Sequence, residues 1–168
     1  MSKPTRTPVS TKGAPIPPPI LSQGMVVGNM VYCSGQLGVD PTTGKMVEGT
    51  IQDRTRQILR NLNAVLEAGG SSLQDAIKVN IFLTDMADFA AVNEVYATFF
   101  SDPKPVSILG SKERDLKSTG NIIQLGICHS FSSVRTCIAV KSLPQGSDVE
   151  IECSGLVTKP GNGRSSRL

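Results

Sequence analysis

The 168-residue chain has the length of one ordinary domain, and its 39% apolar residues are enough to bury a core. No apolar run approaches the ~20 residues of a membrane-spanning helix, and no secretory signal is evident, so we expect an intracellular protein outside membranes. The net charge of +3 comes without a concentrated basic face and Trp is absent, which argues against a nucleic-acid binder.

The cysteines give no sign of a metal site. Cys33, Cys128, Cys137 and Cys153 are far apart in the sequence and form no C-x-x-C pair, so neither zinc binding nor a redox motif is indicated. All but Cys128 lie in apolar, strand-like runs, where free thiols pack as small hydrophobes. We therefore expect no metal and no other cofactor.

The N-terminal residues 1–19 contain six prolines in a Ser/Thr-rich setting. This composition favours a flexible, extended tether over a packed element. After Gly24, two short apolar runs flank Gly28-Asn29. Two such runs separated by two turn residues predict a β-hairpin.

Two amphipathic helices are predicted further along the chain. Thr50 can cap the first with Asp53 at its third position, and Gly69-Gly70 ends it. Its apolar face consists of Ile51, Ile58, Leu62, Val65 and Leu66, whereas Arg54, Arg56 and Arg60 fall mainly elsewhere and are expected to be solvated. A short strand, 76–83, separates this helix from the second.

The second helix carries an aromatic stripe. Asp85 or Asp88 can cap it, and Phe89, Val92, Tyr96 and Phe99 recur with helical spacing. We expect these side chains to belong to the core.

Two alternating runs, 134–140 and 149–153, follow near the C-terminus and are joined by a Pro/Gly-containing loop. This pattern predicts a β-hairpin. The order of elements therefore predicts an α+β fold, a mixed β-sheet with two helices packed on one face. The expected boundaries are a single domain at 20–157 and a flexible tail at 158–168.

Residues 107–133 do not fit this order of elements. They separate a helix from the next strand by far more than the usual few residues. We interpret them as an insertion, either a retained intron or an extra loop. The only histidine, His129, lies within it and is expected to be an incidental loop residue.

Several motifs within residues 14–106 and 134–157 together carry a family resemblance. They are Val27-Gly28-Asn29-Met30, Ser34-Gly35-Gln36, Val79 to Thr84 with Asp85, Asp88 to Tyr96, Arg135-Thr136-Cys137, Leu143-Pro144 and Val149 to Glu152. With the insertion set aside, the sequence resembles the RidA (YjgF/YER057c) family, whose members are small trimers that hydrolyse reactive 2-imino and enamine acids. The resemblance implies a chorismate-mutase-like sheet and a homotrimer with sites between subunits.

The resemblance also implies roles for individual residues. Arg135 matches the arginine that grips the substrate carboxylate, and Glu150 matches the glutamate that handles the attacking water. Ser34, Gly35, Asn93 and Cys137 match other positions of the substrate pocket. Leu21 stands where the family usually has a tyrosine that helps to orient the substrate. The loss of this hydroxyl affects the expected reaction rate and the identity of the substrate.

These two roles also agree with elementary chemistry. Hydrolysis of a C=N bond needs a delivered water and a shuttled proton, work that one positioned carboxylate can do. A guanidinium is the matched bidentate partner of the substrate's carboxylate. The imine is already activated, so neither a metal nor a nucleophilic triad is required. The structural alternative is that Arg135 and Glu150 form a surface ion pair on the hairpin.

Counting back along the predicted hairpin separates Arg135 from Glu150 by about 10 Å or more, at ~3.4 Å per residue. An interface between subunits could bring the two side chains together.

Two other functions stay open. A non-catalytic metabolite-binding or chaperone-like trimer is favoured by Leu21 and by the insertion beside Arg135. A ribonuclease or translation inhibitor is the second alternative, although no histidine is present outside residues 107–133.

The final residues, Ser166-Arg167-Leu168, fit the pattern of a small residue, a basic residue and leucine that peroxisomal import receptors read. This tripeptide predicts a peroxisomal protein, and amino-acid oxidases in that organelle release 2-imino acids. The alternatives are a basic tail without a signal and a cytoplasmic or mitochondrial location.

Overall fold

A computed structural model describes residues 5–100 and 134–159, which form a six-stranded mixed sheet with two helices. The strands are β1 (Arg6–Val9), β2 (Gly24–Val27), β3 (Met30–Cys33), β4 (Ala76–Leu83), β5 (Val134–Ala139) and β6 (Val149–Leu156), and the helices are α1 (Ile51–Ala68) and α2 (Phe89–Phe99). The order across the sheet is β1-β2-β3-β6-β4-β5. The predicted α+β fold is therefore confirmed, as is the β2–β3 hairpin.

The strand β4 lies between β5 and β6. It pairs in parallel with β5, where Val79 lies opposite Arg135, and antiparallel with β6, where Phe82 lies opposite Glu150. The predicted C-terminal hairpin is therefore wrong, because β5 and β6 each pair with β4 and not with each other. In this arrangement both edges of β4 are hydrogen-bonded, and its buried residues line one face together with those of β6.

Helix α1 supplies most of the core. Thr50 and Asp53 form a reciprocal capping box at its N-terminus, as predicted. All five residues of the predicted apolar face are buried, and each buried Leu or Ile side chain stabilises the fold by about 1.5–3 kcal/mol. The buried Asn61 on the same helix donates to the carbonyl oxygens of Leu37 and Val39, which fixes the loop after β3 on the helix.

Helix α2 buries less of its aromatic stripe than its spacing predicts. Asp88 is at the N-cap position, and Asp85 caps the preceding turn. Val92 and Val95 are buried, whereas Phe89 is 36% exposed and lies at the edge of the helix layer. The prediction that the whole stripe belongs to the core is therefore wrong for Phe89.

The predicted N-terminal tether is wrong for residues 6–15. Strand β1 pairs with β2, and Pro8 is tolerated there because an edge strand leaves some N–H groups unpaired. The buried amide of Gln23 accepts from the Thr11 N–H at 2.6 Å and donates to the carbonyl oxygen of Ala14 at 3.0 Å. Interactions between distant residues thus hold a segment whose composition alone favours disorder.

The predicted C-terminal tail is likewise wrong for its first two residues, since the N–H groups of Thr158 and Lys159 both donate to the carbonyl oxygen of Gly70. The predicted insertion at 107–133, with Cys128 and His129, and the tripeptide 166–168 lie outside the described residues. Within the described ranges, no helix is long and apolar enough to cross a membrane.

An ion pair joins the start of α1 to the start of β6. Arg54 Nε donates to Asp148 Oδ1 at 2.7 Å, and Nη2 donates to the second carboxylate oxygen. Both side chains are less than a quarter exposed, at 20% and 24%. Arg54 is therefore not solvated as predicted, whereas the Arg56–Asp53 pair on the same helix is about half exposed.

The contrast between these two ion pairs gives a stability prediction. Replacing Arg54 with Ala should lower the free energy of unfolding, because Asp148 is left largely buried without its partner. The expected loss is about 1.5–3 kcal/mol, the usual contribution of hydrogen bonds to charged groups. The matched variant Arg56→Ala breaks an exposed ion pair, so it should lower the free energy of unfolding by clearly less than Arg54→Ala does. Urea denaturation of both variants measures the difference, and equal losses would show that the Arg54 pair contributes no more than an ordinary surface contact.

Candidate active site

The predicted site residues fall into two groups on opposite faces of the sheet. Arg135, Asn93 and Cys137 lie on the face covered by the helices. Glu150, Ser34 and Gly35 lie at the other face, close to Leu21 in the chain segment before β2.

Arg135 lies on the edge strand β5 and faces α2. Its register partner, Val79, is 1% exposed and belongs to the core, and paired residues in adjacent strands point to the same face. Arg135 Nη1 donates to Asn93 Oδ1 at 2.6 Å. The guanidinium carbon also lies 4.9 Å from the ring centre of Tyr96 and 5.6 Å from that of Phe89. Three neutral groups of α2 therefore surround the cation.

Among the described residues, no acid pairs with Arg135. The ion pairs present in that part of the chain are Arg54–Asp148 and Arg56–Asp53, and the hydrogen bond of Arg135 to described residues is the one to Asn93. The alternative of an Arg135–Glu150 surface ion pair is therefore wrong. The Nε and Nη2 groups remain as a pair of parallel donors, the geometry that a carboxylate accepts.

Cys137 follows Arg135 on the same face, two residues along β5, and packs against the core. Burial raises the pKa of its thiol, and the positive charge of Arg135 opposes that shift only in part. The thiol is therefore protonated at neutral pH and suits a neutral wall of the site better than a nucleophile.

Two residues near Arg135 were not identified from the sequence. Phe89 and Tyr96 were interpreted as core residues, but both rings contact the guanidinium. Their spacing in the sequence could have identified them. Phe89, Asn93 and Tyr96 are separated by four and three positions, so the two rings share one helix face with the predicted site residue Asn93. Tyr96 also packs on the core, so the earlier interpretation holds for it in part.

Glu150 lies on the face of β6 that the helices α1 and α2 leave uncovered. Its neighbours in the strand, Val149 and Ile151, are fully buried against the helices, so the alternation of the strand directs Glu150 away from them. Burial raises the pKa of its carboxyl group above the usual range, and the negative charge of Glu152 adds to this effect. No cation from the described residues contributes to the shift, and none of them forms an ion pair with this carboxylate.

Gly35 gives the Glu150 side chain its position. Gln36 and Ile151 exchange both backbone hydrogen bonds, which draws the segment after β3 against β6. A Cβ atom at residue 35 would overlap Glu150 Oε1, so glycine lets the carboxylate occupy its present position and a larger residue would displace it. The Ser34 hydroxyl donates to the carbonyl oxygen of Ser22 at 2.6 Å, and the adjacent Leu21 is 56% exposed.

A single chain does not bring Arg135 and Glu150 together. Their register positions on β4 differ by three residues, about 10 Å along the strand, and the strands β5 and β6 lie two sheet spacings apart, about 10 Å across. The two side chains also lie on opposite faces. The sequence-based expectation of a large separation is thus met, although its assumed hairpin is wrong.

Comparison with known proteins agrees with this fold. The family model described as Endoribonuclease L-PSP matches residues 11–157. The protein mmf1, mitochondrial, of Schizosaccharomyces pombe is 40% identical over 155 residues, covering 90% of this chain and 76% of the relative. A 2-iminobutanoate/2-iminopropanoate deaminase of Dermatophagoides farinae is 45% identical over 97 residues, covering 58% of this chain and 76% of the relative.

A solved structure gives the same result. The crystal structure of RidA from an Antarctic Psychrobacter bacterium superimposes with a TM-score of 0.69 at 34% identity, covering 89% of this chain and 98% of the bacterial chain.

The relatives correct the prediction of location. The names of the fission yeast relative and of a Saccharomyces cerevisiae relative, MMF1, both state that those proteins are mitochondrial. The peroxisomal prediction from Ser166-Arg167-Leu168 is therefore wrong. The names agree with the mitochondrial alternative.

The family assignment rests on a match that covers most of the chain, on relatives that share more than a third of its residues and on a common fold. The chain therefore belongs to the RidA family, the family whose model is described as Endoribonuclease L-PSP.

Proposed function

We propose that the protein hydrolyses reactive 2-imino acids and their enamine tautomers to 2-keto acids and ammonia, a repair reaction on damaging metabolites. One observation carries the proposal. Arg135 and Glu150 each lack an ionic partner among the described residues, and neutral side chains hold Arg135 in place. Opposite charges left unpaired in this way are costly unless a ligand or reaction uses them.

We further propose that the site is composite, with Arg135 from one copy and Glu150 from another in a homotrimer. The uncovered face of the sheet supports an assembly, because it carries exposed apolar side chains, among them Tyr32, Val134, Ile138 and Leu156. A row of apolar residues on a sheet face is typical of a surface that another copy covers.

The proposed reaction assigns a separate task to each charge. Arg135 binds the substrate carboxylate through Nε and Nη2 and so fixes C2 of the imine near the carboxylate of Glu150. Glu150 removes a proton from a water molecule while the water oxygen bonds to C2, and the C=N π electrons pass to nitrogen. Glu150 returns this proton to nitrogen, then takes the hydroxyl proton of the tetrahedral intermediate and passes it to the amino group. The C–N bond breaks as the C2–O bond becomes a carbonyl, and ammonia and the 2-keto acid leave.

The environment of Glu150 suits the role of a base. A carboxyl group with a raised pKa binds a proton more strongly than an ordinary glutamate, and bases with a pKa nearer the working pH transfer protons more effectively. The glycine at residue 35 allows the carboxylate to lie against the backbone without steric overlap.

Leu21 distinguishes this site from the usual family pattern and favours one alternative, a non-catalytic metabolite-binding protein. Its side chain is exposed and offers no hydroxyl to orient a substrate. Release of ammonia from enzymatically generated 2-iminobutanoate separates the alternatives: a catalyst accelerates it, whereas a binding protein or a ribonuclease does not.

Substitution of Arg135 tests the role of the guanidinium. Arg135→Ala should reduce kcat/KM for 2-iminobutanoate by about 100-fold or more, because the carboxylate loses charge-assisted hydrogen bonds. Arg135→Lys should recover little activity, since an ammonium does not reproduce the planar fork. Arg60→Ala, at an exposed arginine of α1, is the control and should leave the rate unchanged. Normal activity in Arg135→Ala, with the oligomer intact, would contradict the proposal.

The pH dependence tests the role of Glu150. Its carboxylate form is needed as a base, so kcat should fall as the pH drops through the raised pKa, at higher pH than for an ordinary glutamate. Glu150→Gln should remove the activity. Glu152→Gln removes a neighbouring negative charge and should move the acid limb to lower pH while keeping the plateau. An acid limb unchanged in Glu152→Gln would show that the titrating group is not Glu150.

A further inference from the structure

The face of α2 directed at Arg135 has no assigned role in the reaction apart from Asn93. Phe89, Asn93 and Tyr96 all contact the guanidinium, and they come from two successive turns of the same helix. Val92 and Val95, on the adjoining side of the same turns, are buried in the core. The three contacts are therefore fixed to the rigid part of the fold.

The chemistry of these contacts differs from that of an ion pair. A carboxylate beside Arg135 would occupy its donors and compete with the substrate carboxylate. An amide oxygen and two aromatic faces stabilise the cation and leave its charge intact. Asn93 engages Nη1 alone, so the Nε–Nη2 edge keeps its two parallel donors.

The rings also restrict how the guanidinium can turn. The ring centre of Tyr96 lies 4.9 Å from the guanidinium carbon, and Tyr96 itself stacks on Phe100 with ring centres 4.3 Å apart. Without these rings, the Arg135 side chain with its four rotatable bonds would lose its rotational freedom only when the substrate binds. That loss of entropy would lower the affinity for the substrate. Rings that hold the guanidinium beforehand reduce this cost.

From these contacts we propose that Phe89 and Tyr96 are positioning residues, whose rings hold the Arg135 guanidinium with its Nε–Nη2 edge open to the substrate carboxylate. This inference rests on the proposed function, since it assigns the preparation of the same carboxylate site to the aromatic side chains of α2. Loss of either ring should therefore change the affinity for the substrate carboxylate, and thus KM, more than it changes kcat.

The test measures binding of 2-oxobutanoate, a stable carboxylate that represents the product, to the full-length protein by calorimetry. Tyr96→Leu should weaken binding about 3- to 30-fold, the range expected from loss of one desolvated cation–π contact. Tyr96→Phe keeps the ring and should restore affinity to near the wild-type value. Phe99→Leu, an aromatic-to-aliphatic change on the same helix, is the matched control and should leave binding unchanged.

Steady-state kinetics on 2-iminobutanoate should show KM raised in Tyr96→Leu by a similar factor with kcat little changed. If Tyr96→Leu does not fold, Phe89→Leu removes a ring at an exposed position and should weaken binding in the same direction. Equal weakening in Tyr96→Leu and Phe99→Leu, or failure of Tyr96→Phe to restore affinity, would overturn the positioning role.

The Arg135→Ala variant separates this inference from the proposed function. Unchanged binding of 2-oxobutanoate in Arg135→Ala would contradict the carboxylate site itself. Weakened binding in Arg135→Ala together with normal binding in Tyr96→Leu would contradict only the role of the rings.

Discussion

The position of β4 between β5 and β6 is the constraint on which the rest of the site depends. Because β4 pairs with both strands, Arg135 and Glu150 are three residues out of register and on opposite faces of one sheet. Neither charge can neutralise the other within a chain, and each stays available for a ligand. The proposed composite site agrees with this topology, since the described part of one chain keeps the two charges apart and a second copy can supply the missing charge.

The two charged side chains are positioned in different ways. Asn93 and two aromatic rings hold Arg135, whereas the missing side chain at Gly35 makes room for Glu150. Such charges cost stability, because a half-buried ion without a partner of opposite charge loses hydration that neutral contacts offset only in part. Arg54 and Asp148 differ from these charges, because they form a close ion pair that joins α1 to the start of β6 and stabilises the fold.

The sequence predicts local features of the fold better than distant ones. The capping box of Thr50 and Asp53 and the apolar face of α1 depend on residues a few positions apart, so periodicity reveals them. The pairing of β4 with β5 and the hydrogen bonds of Gln23 to residues 11–15 join distant segments, and no local pattern indicates them. The roles of Arg135 and Glu150 came from family resemblance, whereas the ring contacts of Phe89 and Tyr96 needed the packing of α2 against β5.

Complementation between two inactive variants tests the composite site most directly. Arg135→Ala and Glu150→Gln chains are mixed in equal amounts, unfolded and refolded together, and ammonia release from 2-iminobutanoate is compared with that of each variant refolded alone. If each site takes Arg135 from one copy and Glu150 from another, random mixing leaves about a quarter of the sites intact and restores about a quarter of the wild-type rate. Activity no higher than the mean of the two separate variants would contradict the account.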